Sequence, residues 1–276
     1  MESILSPTPT LDSNYSHFQS PALNTPECFL LRIGRKPGMC QSIQAMGGSK
    51  PYAHSDYLVK PEVVYTTKKD AIETYRLRWL IDGRKDCFVE GDVSVATESD
   101  GKLQISYDLK PSKKSVETIK FAEFGLTLEM PERFDRVDWE GLGPLTSVPG
   151  KSKMNSFGKW AMHKDDYRFI GNRGNVKWAA ASGQGSGVRG QESGNEVVYV
   201  LESGTGNVSF ENVGGKIHLT ENMAVAGYGG KASGPSGLMS PKDIKMRGSV
   251  RIFAAEMEGE RPDVVPDLIF TQHYGF

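Results

Sequence analysis

The run Arg136-Val137-Asp138-Trp139-Glu140-Gly141-Leu142-Gly143-Pro144, RVDWEGLGP, lies near the middle of the chain and mixes charges, an indole and two glycines. Residue by residue it supports two readings. It is a strand turning a corner with Trp139 capping a core, or it is an edge that holds an indole and carboxylates where a substrate can meet them. Asp135, Asp138 and Glu140 supply acids of the kind that glycoside hydrolysis uses in pairs, roughly 5 Å apart for retention and farther for inversion. An aromatic ring such as Trp139 can stack on the apolar face of a sugar. The choice depends on the chain around the run.

Working outward, the commonest pattern is alternation with period two, which marks strands with one buried face. Tyr75, Leu77, Trp79 and Ile81 alternate with Arg76, Arg78 and Leu80 before the turn pair Asp82-Gly83. Leu103, Ile105, Tyr107 and Leu109 alternate with Gln104, Ser106 and Asp108 just after the turn pair Asp100-Gly101. Adjacent strands joined by a hairpin are therefore expected. Phe124, Leu126, Leu128 and Met130 share a face opposite Glu123, Gly125, Thr127 and Glu129, and Pro131 ends the run because it has no N–H for a ladder. Short strands are also expected over 196–201, 207–210, 216–219 and 249–254. No window of a dozen residues holds a helical period, and 31 glycines and 15 prolines interrupt the chain. The expectation is an all-β chain, a single β-sandwich domain over 1–276 whose first 60 residues are loop-rich and form a loosely held arm.

Composition narrows the function classes. The 276 residues can bury a substantial core. Lys plus Arg number 33 against 34 Asp plus Glu, a formal charge of −1, so no global field draws the protein to nucleic acid or anionic lipid. Cys28, Cys40 and Cys87 form no CxxC pair and leave one over if two bridge, which argues against a disulfide framework or a zinc site. No apolar run approaches the ~20 residues of a membrane span, and the N-terminus lacks a basic stretch followed by an apolar one. A soluble, cytoplasmic protein without metal or cofactor, whose partner is neutral or small, is the expectation.

Other constellations carry less. Gly185-Ser186-Gly187-Val188-Arg189-Gly190 fits GxGxxG, yet no helix follows it, so a hairpin loop is the better reading. His163 stands beside Asp165 and Asp166, but adjacent acids point to opposite faces of a strand, and a solvated turn is preferred to a metal corner.

Arg133 to Pro144 resembles the phrase in which a Trp precedes Gly-x-Gly-Pro in the last β-domain of family 2 β-galactosidases, found also as the separate small chain of two-chain enzymes. Tyr167 to Trp178 is similar to that family's Tyr-x-x-Pro-x-Glu-x-Gly-Asn-Arg-x-x-Val-Arg-Trp segment through Gly171-Asn172-Arg173, Val176 and Trp178. Gly185-Ser186-Gly187-Val188 resembles the Gly-x-Gly-Leu hairpin that follows, and 18–24 and 226–230 echo two outer loops. The resemblance implies a large antiparallel sandwich of the galactose-mutarotase-like type that contributes a loop to a sugar site, while the catalytic glutamates belong to a barrel in another chain or domain. No alternation of strands and helices here supplies a barrel.

The departures bear on function. Where the family continues Glu-Asn-Tyr-Pro-Asp-Arg, this chain has Leu145-Thr146-Ser147-Val148-Pro149-Gly150; Leu23-Asn24-Thr25 stands at the Asp-Asn-Asp loop and Arg168-Phe169-Ile170 at the Pro-x-Glu. A sugar site that loses buried hydrogen-bonding partners loses affinity and specificity. Two functions follow as expectations: a β-galactosidase small-chain-like carbohydrate-binding module with a catalytic barrel subunit as partner, and a stand-alone sandwich turned to a less polar small molecule, as an isomerase or cyclase of secondary metabolism acting by orientation. A mutarotase-like epimerase using His163 or His218 with a Glu is the third. The candidate ligand-binding residues are Trp139, Asp138, Glu140, Arg173 and Trp178.

Overall fold

The structure is a computed structural model that describes residues 9–10, 26, 29–34, 58–99, 101–119, 121, 123–150, 152–153, 155–166, 169–183, 197–226 and 239–257. In chain order its strands are β1 (Pro9–Thr10), β2 (Leu30–Gly34), β3 (Leu58–Val59), β4 (Glu62–Lys69), β5 (Ile72–Leu80), β6 (Phe88–Thr97), β7 (Leu103–Pro111), β8 (Glu123–Glu129), β9 (Arg136–Gly143), β10 (Ser156–His163), β11 (Gly171–Gly174), β12 (Trp178–Ser182), β13 (Val197–Glu202), β14 (Asn207–Val213), β15 (Lys216–Val225) and β16 (Arg247–Met257). One six-residue helix, α1 (Lys113–Thr118), sits between β7 and β8, its first turn capped by Ser112, whose hydroxyl accepts from the Ser115 N–H.

The strands form two antiparallel sheets. One has ten strands in the order β10-β9-β12-β13-β16-β7-β6-β5-β4 with β1 beside β16, and the other has six in the order β11-β14-β15-β8-β2-β3. This is the all-β antiparallel sandwich that the alternation implies. Period-two patterning places Tyr75, Leu77 and Trp79 of the large sheet and Phe124, Leu126 and Leu128 of the small one in one continuous core. Trp79 also ties the sheets together, since its Nε1 donates to the Phe29 carbonyl at 2.9 Å.

The turn chemistry is as expected, with Asp82 at φ 53°, Gly83 at 68° and Gly101 at 84°. The strand neighbours are not. β6 lies between β5 and β7 and forms a hairpin with each. It was missed because Gly91 interrupts the apolar series of Val89, Val93 and Val95 on its buried face. Gly91 stands where β6 and β7 approach so closely that a Cβ would lie 2.1 Å from the Asp108 carbonyl oxygen. β4, β10 and β12 were likewise not foreseen, and RVDWEGLGP is a full strand with neighbours on both sides, not a strand end. The GxGxxG run, the 18–24 loop and 227–230 lie outside the described residues.

Candidate functional site

β9 pairs with β10 on one side and β12 on the other, opposing Trp160 and Ala179 to Trp139, and Lys159 and Trp178 to Glu140. The glycines of the motif have a steric cause. A Cβ on Gly141 would lie 2.9 Å from the Val176 Cα, and one on Gly143 would lie 2.6 Å from the Trp160 ring. The freed space lets the Trp160 indole donate to the Gly141 carbonyl at 3.2 Å. Alternation then turns Val137 and Trp139 into the sandwich and Arg136, Asp138, Glu140 and Leu142 to the opposite face.

Trp139 is fully buried. Its ring meets Phe210 edge-on at 5.1 Å, and its Nε1 donates to the Leu142 carbonyl at 3.2 Å. The Arg173 guanidinium, also buried, lies 5.4 Å from the Trp139 ring centre and 5.3 Å from that of Phe210, while its Nη1 donates to the Gly171 carbonyl at 3.0 Å. A cation held by two ring faces and a carbonyl is stabilised where water is absent. Trp139 and Arg173 are thus brought together, inside the sandwich. Asp138, on the opposite face, is also buried and takes a 2.7 Å hydrogen bond from Arg136.

Glu140 and Trp178 meet on that outer face. The Glu140 carboxylate accepts from Lys177 Nζ at 2.6 Å on one oxygen and from the Trp178 indole at 3.2 Å on the other, which fixes its plane while leaving acceptor capacity on both. Beside it the Phe157 ring is 51% exposed, with Lys177 Nζ 5.2 Å from its centre, and Lys159 Nζ stands 6.0 Å from the Trp178 ring. An open aromatic face is therefore edged by two ammonium groups and a positioned carboxylate. Phe157 was not singled out from sequence. Glycine and lysine follow it in the strand, and nothing in Ser156-Phe157-Gly158 distinguishes an exposed ring from a buried one.

Sequence reasoning also missed a polar layer on the outer face of the six-stranded sheet. Arg32 on β2 pairs with Glu123 on β8 at 3.1 Å, and Ser209 on β14 donates to the same carboxylate at 2.9 Å. Asn222 donates to Ser209 at 2.7 Å and to Asn172 at 3.0 Å, and Asn172 donates to the Ser147 carbonyl at 2.7 Å. Thr127 and Thr220 hydroxyls meet at 2.6 Å. All of these side chains are buried. In sequence they are the polar half of the alternation and read as solvent-facing, so their burial has no local signal.

At the edge of this layer His218 Nε2 lies 3.3 Å from Glu129, which Lys216 also contacts at 2.6 Å. Burial pushes the His218 imidazole below its ordinary range against the pull of Glu129. Burial acts to raise the Glu129 carboxyl, but Lys216 and His218 outweigh it and leave it lowered. His163 ends β10, and Asp165, in the turn after it, accepts from Asn212 at 3.2 Å. The segment Leu145–Gly150 uses its polar groups locally: the Leu145 N–H donates to Asn155 at 2.8 Å, Thr146 to the Ile170 carbonyl at 3.1 Å, and the Ser147 N–H to the Asn172 carbonyl at 2.8 Å.

The fold defines an all-β antiparallel sandwich in which the glycine-framed β9 packs on Arg173. Residues 50–224 match the beta galactosidase small chain family, and the chain belongs to that family. The match takes in β3 through all but the last residue of β15, whereas β2 and β16 lie outside it. No curated protein matches the chain. No helix among the described residues is long and apolar enough to cross a membrane.

Proposed function

We propose that this chain is a small-chain-type sandwich that binds carbohydrate on the outer face of β9, β10 and β12 and works beside a separate catalytic chain, with no glycoside hydrolysis of its own. One observation carries the reading: the open Phe157 ring bordered by Glu140, Lys177 and Lys159. A pyranose offers an apolar face for such a ring and hydroxyls for a carboxylate and ammonium groups. Within this reading Glu140 is the acceptor, Trp178 fixes it from behind, and Trp139, Arg173 and Asp138 act by holding β9 in place. Galactose and lactose titrations followed by tryptophan fluorescence test it, because the Trp178 N–H is bonded to the carboxylate that the sugar would engage. A saturable response that disappears in Phe157→Ala is expected; a folded chain that gives no response at millimolar sugar sinks the proposal.

A second reading, a sandwich turned to a less polar ligand as an isomerase or cyclase, is favoured by Leu145–Gly150. Leu145, Thr146 and Ser147, which stand in place of the family's acid, amide and ring, direct their hydrogen bonds to neighbouring segments of the same chain. A fluorescence response to hydrophobic probes with none to sugars would support it.

A further inference from the structure

Among the described residues five large apolar side chains stand exposed, and four of them, Val63, Val64, Tyr65 and Ile72, lie in the β4–β5 hairpin. β4 closes the ten-stranded sheet, all eight of its residues are exposed, and β5 is its sole strand neighbour among the described residues. Its outer edge therefore offers a row of backbone donors and acceptors for another strand. The charges along β4, Glu-Val-Val-Tyr-Thr-Thr-Lys-Lys, are polarised, with Glu62 at the start and Lys68 and Lys69 at the end. A parallel copy would set like charges together, and an antiparallel copy sets opposite ones together.

The faces agree with this. Glu62, Tyr65, Thr67 and Lys69 pair with Arg78, Arg76, Thr74 and Ile72 of β5 and share the outer face. Val63, Thr66 and Lys68 pair with Leu77, Tyr75 and Glu73 on the inner face, the parity changing at the bulge between Val63 and Tyr65. We infer that β4 pairs antiparallel with β4 of a second copy about a two-fold axis at Thr66, joining two ten-stranded sheets into one. Tyr65 then lies opposite Thr67 of the second copy. Carried through the bulge, Glu62 meets Lys69 of the second copy on the outer face, and Val63 lies under the aliphatic stem of its Lys68. Without the bulge, Glu62 and Lys69 would fall on opposite faces. The bulge and the lysines, which turn away a generic strand, fit a second copy of the same strand.

The test is the mass of the full chain in solution by sedimentation velocity and light scattering across micromolar to submillimolar concentration. Wild type is expected to be a reversible dimer. Glu62→Lys and Lys69→Glu each place two like-charged contacts in the interface and should weaken dimerisation by about tenfold or more. Mixing the two single variants should restore the dimer, because both contacts then join opposite charges, and the double variant should dimerise alone. Both positions are exposed, so circular dichroism should stay unchanged. A wild-type chain that remains monomeric throughout, single variants that dimerise like wild type, or a mixture that fails to recover would each overturn the inference.

Discussion

Replacing Trp139 by Ala separates a core role from a ligand-contacting one. The side chain is fully buried, edge-on to Phe210 at 5.1 Å, and forms one face of the slot that holds Arg173. Truncating a buried Trp costs about 3–5 kcal/mol through lost transfer free energy and the cavity left behind. The change also removes one of the two rings that stabilise a buried guanidinium, a desolvated interaction of ~2 kcal/mol, which places the expected loss at the upper end of that range. Against a domain stability of about 5–15 kcal/mol the variant should fold but unfold at far lower denaturant. Urea unfolding by circular dichroism measures this, with Phe157→Ala as the exposed control, expected within about 0.5 kcal/mol of wild type. Trp139→Phe keeps a ring against Phe210 and should lose less. A Trp139→Ala chain within about 1 kcal/mol of wild type that no longer binds sugar would refute the reasoning and make Trp139 a contact residue.

Burial raises the Glu221 carboxyl to about 7, with Ser203, Thr205 and Gly204 acting to lower it. Between the ordinary carboxylate value and that pKa, the folded state keeps a proton that the unfolded state has lost. Stability is then highest at acid pH and falls as pH rises through about 7, by about 2–4 kcal/mol if this group acts alone. Glu221→Gln should remove the fall, read by unfolding at pH 5 and pH 8. Glu123→Ala removes the 3.1 Å partner of the buried Arg32 guanidinium and should cost about 3–5 kcal/mol, whereas replacing Arg32 and Glu123 together by Met should cost less; urea midpoints distinguish the two. Gly141→Ala, whose Cβ would lie 2.9 Å from the Val176 backbone, must displace the entry to β12 and should cost about 1–3 kcal/mol in the same assay.

Much of the fold was legible because burial on one face writes period two into a strand, as in Tyr75 to Ile81 and Phe124 to Met130. What escaped has physical causes. Gly91 answers to a close backbone approach and interrupts the apolar face of β6, and β4 buries neither face and so carries no alternation. Arg32, Glu123, Ser209 and Asn222 look solvated in sequence because a buried polar residue follows the same alternation as one facing water. In RVDWEGLGP the two readings divide between the faces of one strand. Trp139 is core, as the first of them has it, while Glu140 reaches Trp178 and Lys177 on the outer face. The carboxylate could be nominated from its neighbours in the run, but Phe157 could not, since only the pairing of β10 with β9 brings it there.

The most direct test of the proposed function is side-chain chemical-shift mapping of the full chain during titration with galactose. Saturable shifts centred on Phe157, Lys159, Lys177 and the Trp178 indole N–H are expected, with the Trp139 indole unmoved. Shifts centred elsewhere in the molecule, or none at millimolar sugar, would contradict it.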